Sequence, residues 1–254
     1  MSLHVERYGS TGPELVLLHG WGLSSAIWAP VVERLSRQYR LTLIDIPGLG
    51  RSPALDTGSL DALATALLAQ APQRAIWVGW SLGGALALKV ASLQPARLSA
   101  LMLVAATPCF VQREGWQPAM DPALFDAFAE GVAHLPAKTL GRFAMLQTQG
   151  SQSARTELKM LKQVIAQSEP DNLAGTLELL REDLRAELAE LSVPASLVLG
   201  RYDQLVPASL ADAVVQINPA IEVQSFEASA HLPFLSEPEH FDEALASLTR
   251  RTCL

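Results

Sequence analysis

A chain of 254 residues, 49% hydrophobic and 18% charged, is long and apolar enough to bury a substantial core, which excludes an intrinsically disordered protein. Its formal net charge of −7 and pI near 5.2 argue against general electrostatic affinity for nucleic acid or an anionic membrane. The two cysteines, Cys109 and Cys253, lie far apart, one of them near the C-terminus, so no disulfide is expected. The opening residues MSLHVERYGSTGPE carry no apolar signal-peptide core, and no window reaches the roughly 18 uninterrupted apolar residues of a membrane span. A cytoplasmic location is the simplest expectation.

In chain order, the first 109 residues alternate short apolar runs with longer amphipathic stretches. Leu15 to Leu18, Leu41 to Ile44, Ala75 to Val78 and Ala100 to Val104 are rich in Val, Leu and Ile and bounded by Gly, Pro or Asp, the pattern of buried parallel strands. Helical patterns fall around residues 25 to 36, 59 to 70 and 83 to 93. This alternation predicts an α/β fold of βαβ units, with a mostly parallel central sheet covered by helices on both faces. From 110 to 190 the patterns are helical only, interrupted at Pro118, Pro122, Pro136, Gly150 and Pro170. That stretch is expected to form a helical lid inserted into a core made of residues 1–109 and 191–254. The earlier rhythm then resumes with a strand at Ser196 to Leu199, a helix from Pro207, a strand at Ile221 to Phe226 and a last helix from Pro238 to about Leu248. Both prolines suit a first helical turn, where a missing N–H costs nothing.

Chemistry is concentrated at the ends of these strands. Gly79-Trp80-Ser81-Leu82-Gly83-Gly84 directly follows a predicted strand and precedes a predicted helix. A G-x-S-x-G sequence in that context places the serine on a sharp, exposed turn and aims the N-terminal N–H groups of the helix at its oxygen. Serine is a weak nucleophile unless a base removes its proton, and that base needs a carboxylate to fix its tautomer. On such a sheet the chain order is nucleophile, acid, base. Asp203, in Gly200-Arg201-Tyr202-Asp203 beyond a strand, fits the acid; His231, in the small-residue loop Ala228 to Pro233, fits the base.

The remaining histidines fit less well. His4, His134 and His240 are expected at the surface or in packing. His19 opens His19-Gly20-Trp21-Gly22, the loop after the first predicted strand that should supply half of an oxyanion hole, and is expected to brace that loop rather than move protons. The two backbone donors are assigned to Trp21 and Leu82. No H-x-x-x-H or C-x-x-C pattern or clustered carboxylates suggest a metal. Gly48-Leu49-Gly50 lacks the third glycine of a dinucleotide loop, so no cofactor is expected.

With these residues in place the sequence resembles the α/β-hydrolase fold along its whole length. It is similar in particular to the pimeloyl-[acyl-carrier-protein] methyl ester esterase family of biotin synthesis. The similarity rests on Leu-Leu-His-Gly-Trp-Gly at 17–22, Asp-Ile-Pro-Gly-Leu-Gly-Arg-Ser at 45–52, Ala-Ile-Trp-Val-Gly-Trp-Ser-Leu-Gly-Gly at 75–84, Pro-Cys-Phe at 108–110 and Arg-Phe-Ala-Met-Leu-Gln-Thr at 142–148. Trp80, Pro-Cys-Phe and the lid segment discriminate best. The resemblance implies a monomeric serine esterase that cleaves a methyl ester on a pimeloyl chain held by acyl carrier protein. It also implies an acyl chain lying between the lid and Trp21, with Phe143 and Gln147 lining the pocket.

The lid carries Lys138, Arg142, Arg155, Lys159 and Lys162 with helical spacing, and Glu157 is the only acid between 138 and 162. A basic cluster on an acidic protein suits docking of an acidic carrier, although a solvated helix face has the same pattern. Against the family's arginines, lysines at 138 and 159 would keep charge but lose bidentate geometry. The triad alone also serves a broad carboxylesterase for short free esters, a carbon–carbon hydrolase, an aminopeptidase or a perhydrolase. Dehalogenases and epoxide hydrolases are disfavoured because they place Asp where this chain has Ser81. A non-catalytic binding member of the fold would lack part of the triad, and none of it is missing.

Overall fold

The structure, a computed structural model, describes residues 2–56 and 58–253. Strands β1 (Val5–Tyr8) and β2 (Glu14–Leu18) precede α1 (Ala29–Leu35); β3 (Arg40–Ile44), α2 (Leu60–Gln70), β4 (Ala75–Trp80), α3 (Leu82–Leu93) and β5 (Leu98–Val104) follow. Five helices come next: α4 (Pro122–His134), α5 (Pro136–Thr148), α6 (Ala154–Ala166), α7 (Leu173–Glu178) and α8 (Arg185–Ala189). The chain then returns through β6 (Ala195–Gly200), α9 (Leu210–Ile217), β7 (Glu222–Phe226), α10 (Pro233–Ser236) and α11 (Pro238–Arg250).

The seven strands form one sheet in the order β1-β3-β2-β4-β5-β6-β7, parallel throughout except for β1. Every residue of β4 and β6 is buried, which is why those runs read as continuously apolar. Side-chain alternation divides the core between two faces. Leu15 and Leu17 point into a layer with Val31, Leu35, Phe241 and Leu245, whereas Val16 and Leu18 meet Leu63, Leu67, Leu86 and Val90. Each such fully buried aliphatic side chain contributes about 1.5–3 kcal/mol relative to an exposed one.

Three details differ from the sequence reading. Strand β1 was not predicted: its residues VERY are only half-buried, and it is held as an edge by antiparallel pairing of Val5 with Ile44. The helix expected from Pro207 begins at Leu210, because the Asp203 carboxylate takes the N–H groups of Leu205 and Val206 and holds the intervening chain in a turn. Pro122 and Pro136 start helices rather than interrupt them. Cys109 is buried with a free thiol, and the side chain of Cys253 lies outside the described residues. Among the described residues no helix is long and apolar enough to cross a membrane.

Strand order reverses at β2: β3 lies on one side of it and β4 on the other. The crevice at such a switch point, beyond the C-terminal strand ends, is where open α/β sheets place ligands. The loops after β2, β4, β6 and β7 therefore converge there.

Candidate active site

Ser81 occupies the turn between β4 and α3 with φ 54° and ψ −118°, a conformation that costs a non-glycine residue about 1–3 kcal/mol. Its N–H donates to the Val104 carbonyl, and its own carbonyl accepts from Gly84 and Ala85, so the turn is held from both sides. The flanking glycines are required by close approach. A Cβ on Gly79 would lie 2.3 Å from the Gly83 oxygen, and one on Gly83 would lie 2.5 Å from the Leu18 oxygen.

His231 donates from Nδ1 to Asp203 Oδ2 at 2.7 Å, and both side chains are nearly fully buried. Asp203 Oδ1 accepts the N–H groups of Leu205 at 2.8 Å and Val206 at 3.0 Å, which leaves Oδ2 for the histidine. A carboxylate on Nδ1 holds the proton there and makes Nε2 the acceptor. That Nε2 is buried and has no hydrogen-bond partner among the described residues, Ser81 included. Nucleophile–base bonds in serine hydrolases are often loose until substrate is bound. The His231 backbone is itself held: its N–H donates to the Gln147 carbonyl at 3.0 Å, and its carbonyl accepts from the Trp80 indole at 2.8 Å.

Neither the Trp21 nor the Leu82 backbone N–H donates to another group among the described residues. His19 explains how the first is aimed. Its Nδ1–H donates to the Gly20 carbonyl at 2.8 Å, and its Nε2 accepts the Ile46 N–H at 2.9 Å. Because a trans peptide points C=O and N–H in opposite directions, tying the Gly20 carbonyl to His19 turns the Trp21 N–H the other way.

Burial pushes the His19 pKa down, with the Asp45 carboxylate and the Gly20 carbonyl pulling partly back. The unfolded chain takes a proton on this histidine below its ordinary pKa of about 6.5, and the native state does so only at lower pH. Stability is therefore expected to fall as pH drops below that value, with a slope of up to about 1.4 kcal/mol per pH unit. Urea midpoints between about pH 7.5 and 5 check this, and His19→Asn should flatten the dependence while lowering stability at the upper end.

The pocket and surface residues expected from the sequence divide into two sets. Trp21 packs edge-on against Phe143 and against Phe128, each at 5.4 Å between ring centroids, and donates from Nε1 to the Leu173 carbonyl. Phe128, on α4, carries no signal of its own in the sequence, since helical spacing does not say which of that helix's apolar residues meets Trp21. Gln147 is buried at the α5 end, and its side-chain amide makes no hydrogen bond among the described residues. Lys138, Arg142, Arg155, Lys159 and Lys162 are all exposed and form no ion pair among the described residues. A narrow cavity of about 10 Å³ beside Ser81 is lined by Ala85, Ala105, Ala106, Phe110, Leu180 and Val206, among others. Ala105 there also has a positive φ of 44°, for which the sequence holds no signal. A larger open groove near Trp116 and Arg185 is lined by other residues, with no serine, cysteine or histidine among them. No cluster of three metal-binding side chains occurs among the described residues.

A strained serine on a strand-to-helix turn, followed in the chain by a paired aspartate and histidine, defines an α/β hydrolase, and a family model described as alpha/beta hydrolase fold matches residues 13–238. Among solved structures, an esterase from Exiguobacterium antarcticum superposes with a TM-score of 0.84 at 26% identity, covering 98% of this chain and 95% of that one. A bromoperoxidase from Bacillus anthracis gives 0.87 at 23% identity and shows the fold alone. Curated relatives are more specific. A pimeloyl-[acyl-carrier protein] methyl ester esterase of Vibrio vulnificus is 42% identical over 249 residues, 96% of this chain and 97% of the relative. One of Pectobacterium carotovorum is 38% identical over 255 residues, 98% and 99%. The chain belongs to this esterase family and is a carboxylic ester hydrolase.

Proposed function

We propose that the chain hydrolyses the methyl ester of a pimeloyl group carried on acyl carrier protein, releasing methanol and the free carboxylate, as a cytoplasmic monomer in biotin synthesis. The observation that carries the chemistry is the buried His231, tied through Nδ1 to Asp203, left with an unpartnered Nε2 among the described residues, and held at its carbonyl by Trp80, the residue before the strained Ser81. The substrate assignment rests on relatives of that name at 38% and 42% identity over nearly the whole chain.

In the cycle, Nε2 of His231 takes the Ser81 proton as Oγ attacks the ester carbonyl. The Trp21 and Leu82 N–H groups hold the oxyanion, each such donor being worth about 10²–10³ in kcat. The carbon–oxygen bond to the methoxy group then breaks, and methanol leaves with the proton from Nε2. Water, deprotonated by the same nitrogen, attacks the acyl-enzyme; its collapse returns the proton to Ser81. No cofactor enters.

Residues 110–190 act as the lid in this reading. Phe143, with Phe128 and Trp21, presents an apolar wall to the alkyl chain, and the unpaired Gln147 amide supplies a polar contact. Lys138, Arg142 and the half-exposed Met145 share one face of α5, and Arg155, Lys159 and Lys162 follow on α6. With no acidic partner among the described residues, this face suits an acidic carrier protein. Reversing charge with Arg142→Glu and Arg155→Glu together is expected to lower kcat/KM for the carrier-bound ester by about tenfold or more at low salt. Turnover of a short free methyl ester should be unchanged. Equal loss on both substrates, or on neither, would remove the docking assignment and favour a broad carboxylesterase.

A further inference from the structure

We infer that Trp80 is a positioning residue for the reaction, one indole that sets the general base against the oxyanion loop across the nucleophile. The inference rests on the assignment of Ser81, Asp203 and His231 as the triad, and not on the identity of the carrier.

Trp80 is fully buried and immediately precedes Ser81. Its Nε1–H donates to the His231 carbonyl at 2.8 Å, the only hydrogen bond that the indole can make. Its opposite edge lies against the oxyanion loop: a Cβ on Gly20 would stand 3.1 Å from Cε3 and 3.2 Å from Cζ3. The same ring lies 5.6 Å from the His231 imidazole and 5.3 Å from Phe234, on the helix that follows His231. A rigid planar group thus touches the loops carrying the base and the Trp21 donor, while its own backbone leads into the nucleophile. With the His231 N–H on the Gln147 carbonyl, the indole completes the restraint of that residue's backbone.

Trp77, three residues earlier, provides the contrast. It is also fully buried on β4, but belongs to the core layer on the opposite face, and its Nε1 has no partner among the described residues. Loss of an indole N–H therefore disturbs the triad at 80 and not at 77.

The test compares Trp80→Phe with Trp77→Phe in the full chain, using a short free methyl ester so that carrier docking plays no part. Trp80→Phe is expected to lower kcat about 10- to 100-fold with KM unchanged, as a small misplacement of a catalytic group does. It should slow phosphonylation of Ser81 by a fluorophosphonate to the same extent. It should also shift the downfield proton resonance of the His231–Asp203 hydrogen bond, a signal that general loss of packing without displacement of His231 would leave in place. Trp77→Phe should change none of these. If Trp80→Phe fails to fold, benzothienylalanine at position 80 replaces the N–H by sulfur at nearly constant shape and is expected to show the same losses. Either soluble variant with wild-type kcat and an unmoved resonance would overturn the role of Trp80, while Ser81→Ala, inactive in the same assay, left the triad standing. Turnover retained in Ser81→Ala would overturn both.

Discussion

With Ser81 replaced by alanine, kcat is expected to fall by about six orders of magnitude, the scale seen when a serine hydrolase loses its nucleophile, while substrate still binds. The reason is local. Alanine keeps the Cβ that already tolerates φ 54°, and the backbone bonds from Ser81 to Val104, Gly84 and Ala85 involve no side-chain atom, so the turn survives. Only Oγ is lost, and with it the atom proposed to form the acyl-enzyme. The backbone donors and the pocket remain to bind the ester. Stopped assays of methanol release, paired with calorimetric titration of a non-hydrolysable analogue, separate the two effects. A variant that lost binding as severely as turnover would point to collapse of the turn.

The second large effect is expected at Asp203. Asp203→Asn should lower kcat by about 10⁴-fold with little change in KM, because the amide presents the wrong group to the base. Its orientation is not free. The oxygen at the Oδ1 position must go on accepting from the Leu205 and Val206 N–H groups, so the amide nitrogen is forced to the Oδ2 side, facing His231 Nδ1. There it donates, Nδ1 must accept, and the imidazole proton moves to Nε2, which then cannot take the proton from Ser81. Raising the pH cannot restore the lost tautomer, so the variant should remain slow across the alkaline limb of its rate profile. Recovery of near wild-type kcat at high pH would argue against the forced orientation.

Much of this arrangement was legible in the sequence because it is built at strand ends with residue types that few other tasks require. Gly79 and Gly83 are fixed by backbone approaches that leave no space for a side chain, so the turn around Ser81 carries a signature independent of the rest of the chain. Asp203 follows β6, a strand buried at every residue, whereas His231 follows β7, a mixed-polarity edge strand of which only Phe226 is buried, so its signal is the small-residue loop after the strand. Contacts set by tertiary packing were another matter. Phe128 sits on α4 among several apolar residues, and nothing in helical spacing says which of them meets Trp21. The Trp80 bond to His231 depends on the direction of one indole within a strand whose every residue is buried. Strand β1 carries Glu6 and Arg7 in a four-residue run, and edge pairing, not burial, holds it. Pro207 fits a helix start, yet the Asp203 side chain draws the neighbouring N–H groups into its own turn first.

The most direct test of the account is methanol release by the purified chain from the methyl ester of pimeloyl-acyl carrier protein, measured beside a short free methyl ester and beside Ser81→Ala. Ser81-dependent release from both is expected, with a higher kcat/KM for the carrier-bound ester. Release from the carrier-bound ester that persists in Ser81→Ala, or its complete absence in the wild-type chain, would contradict it.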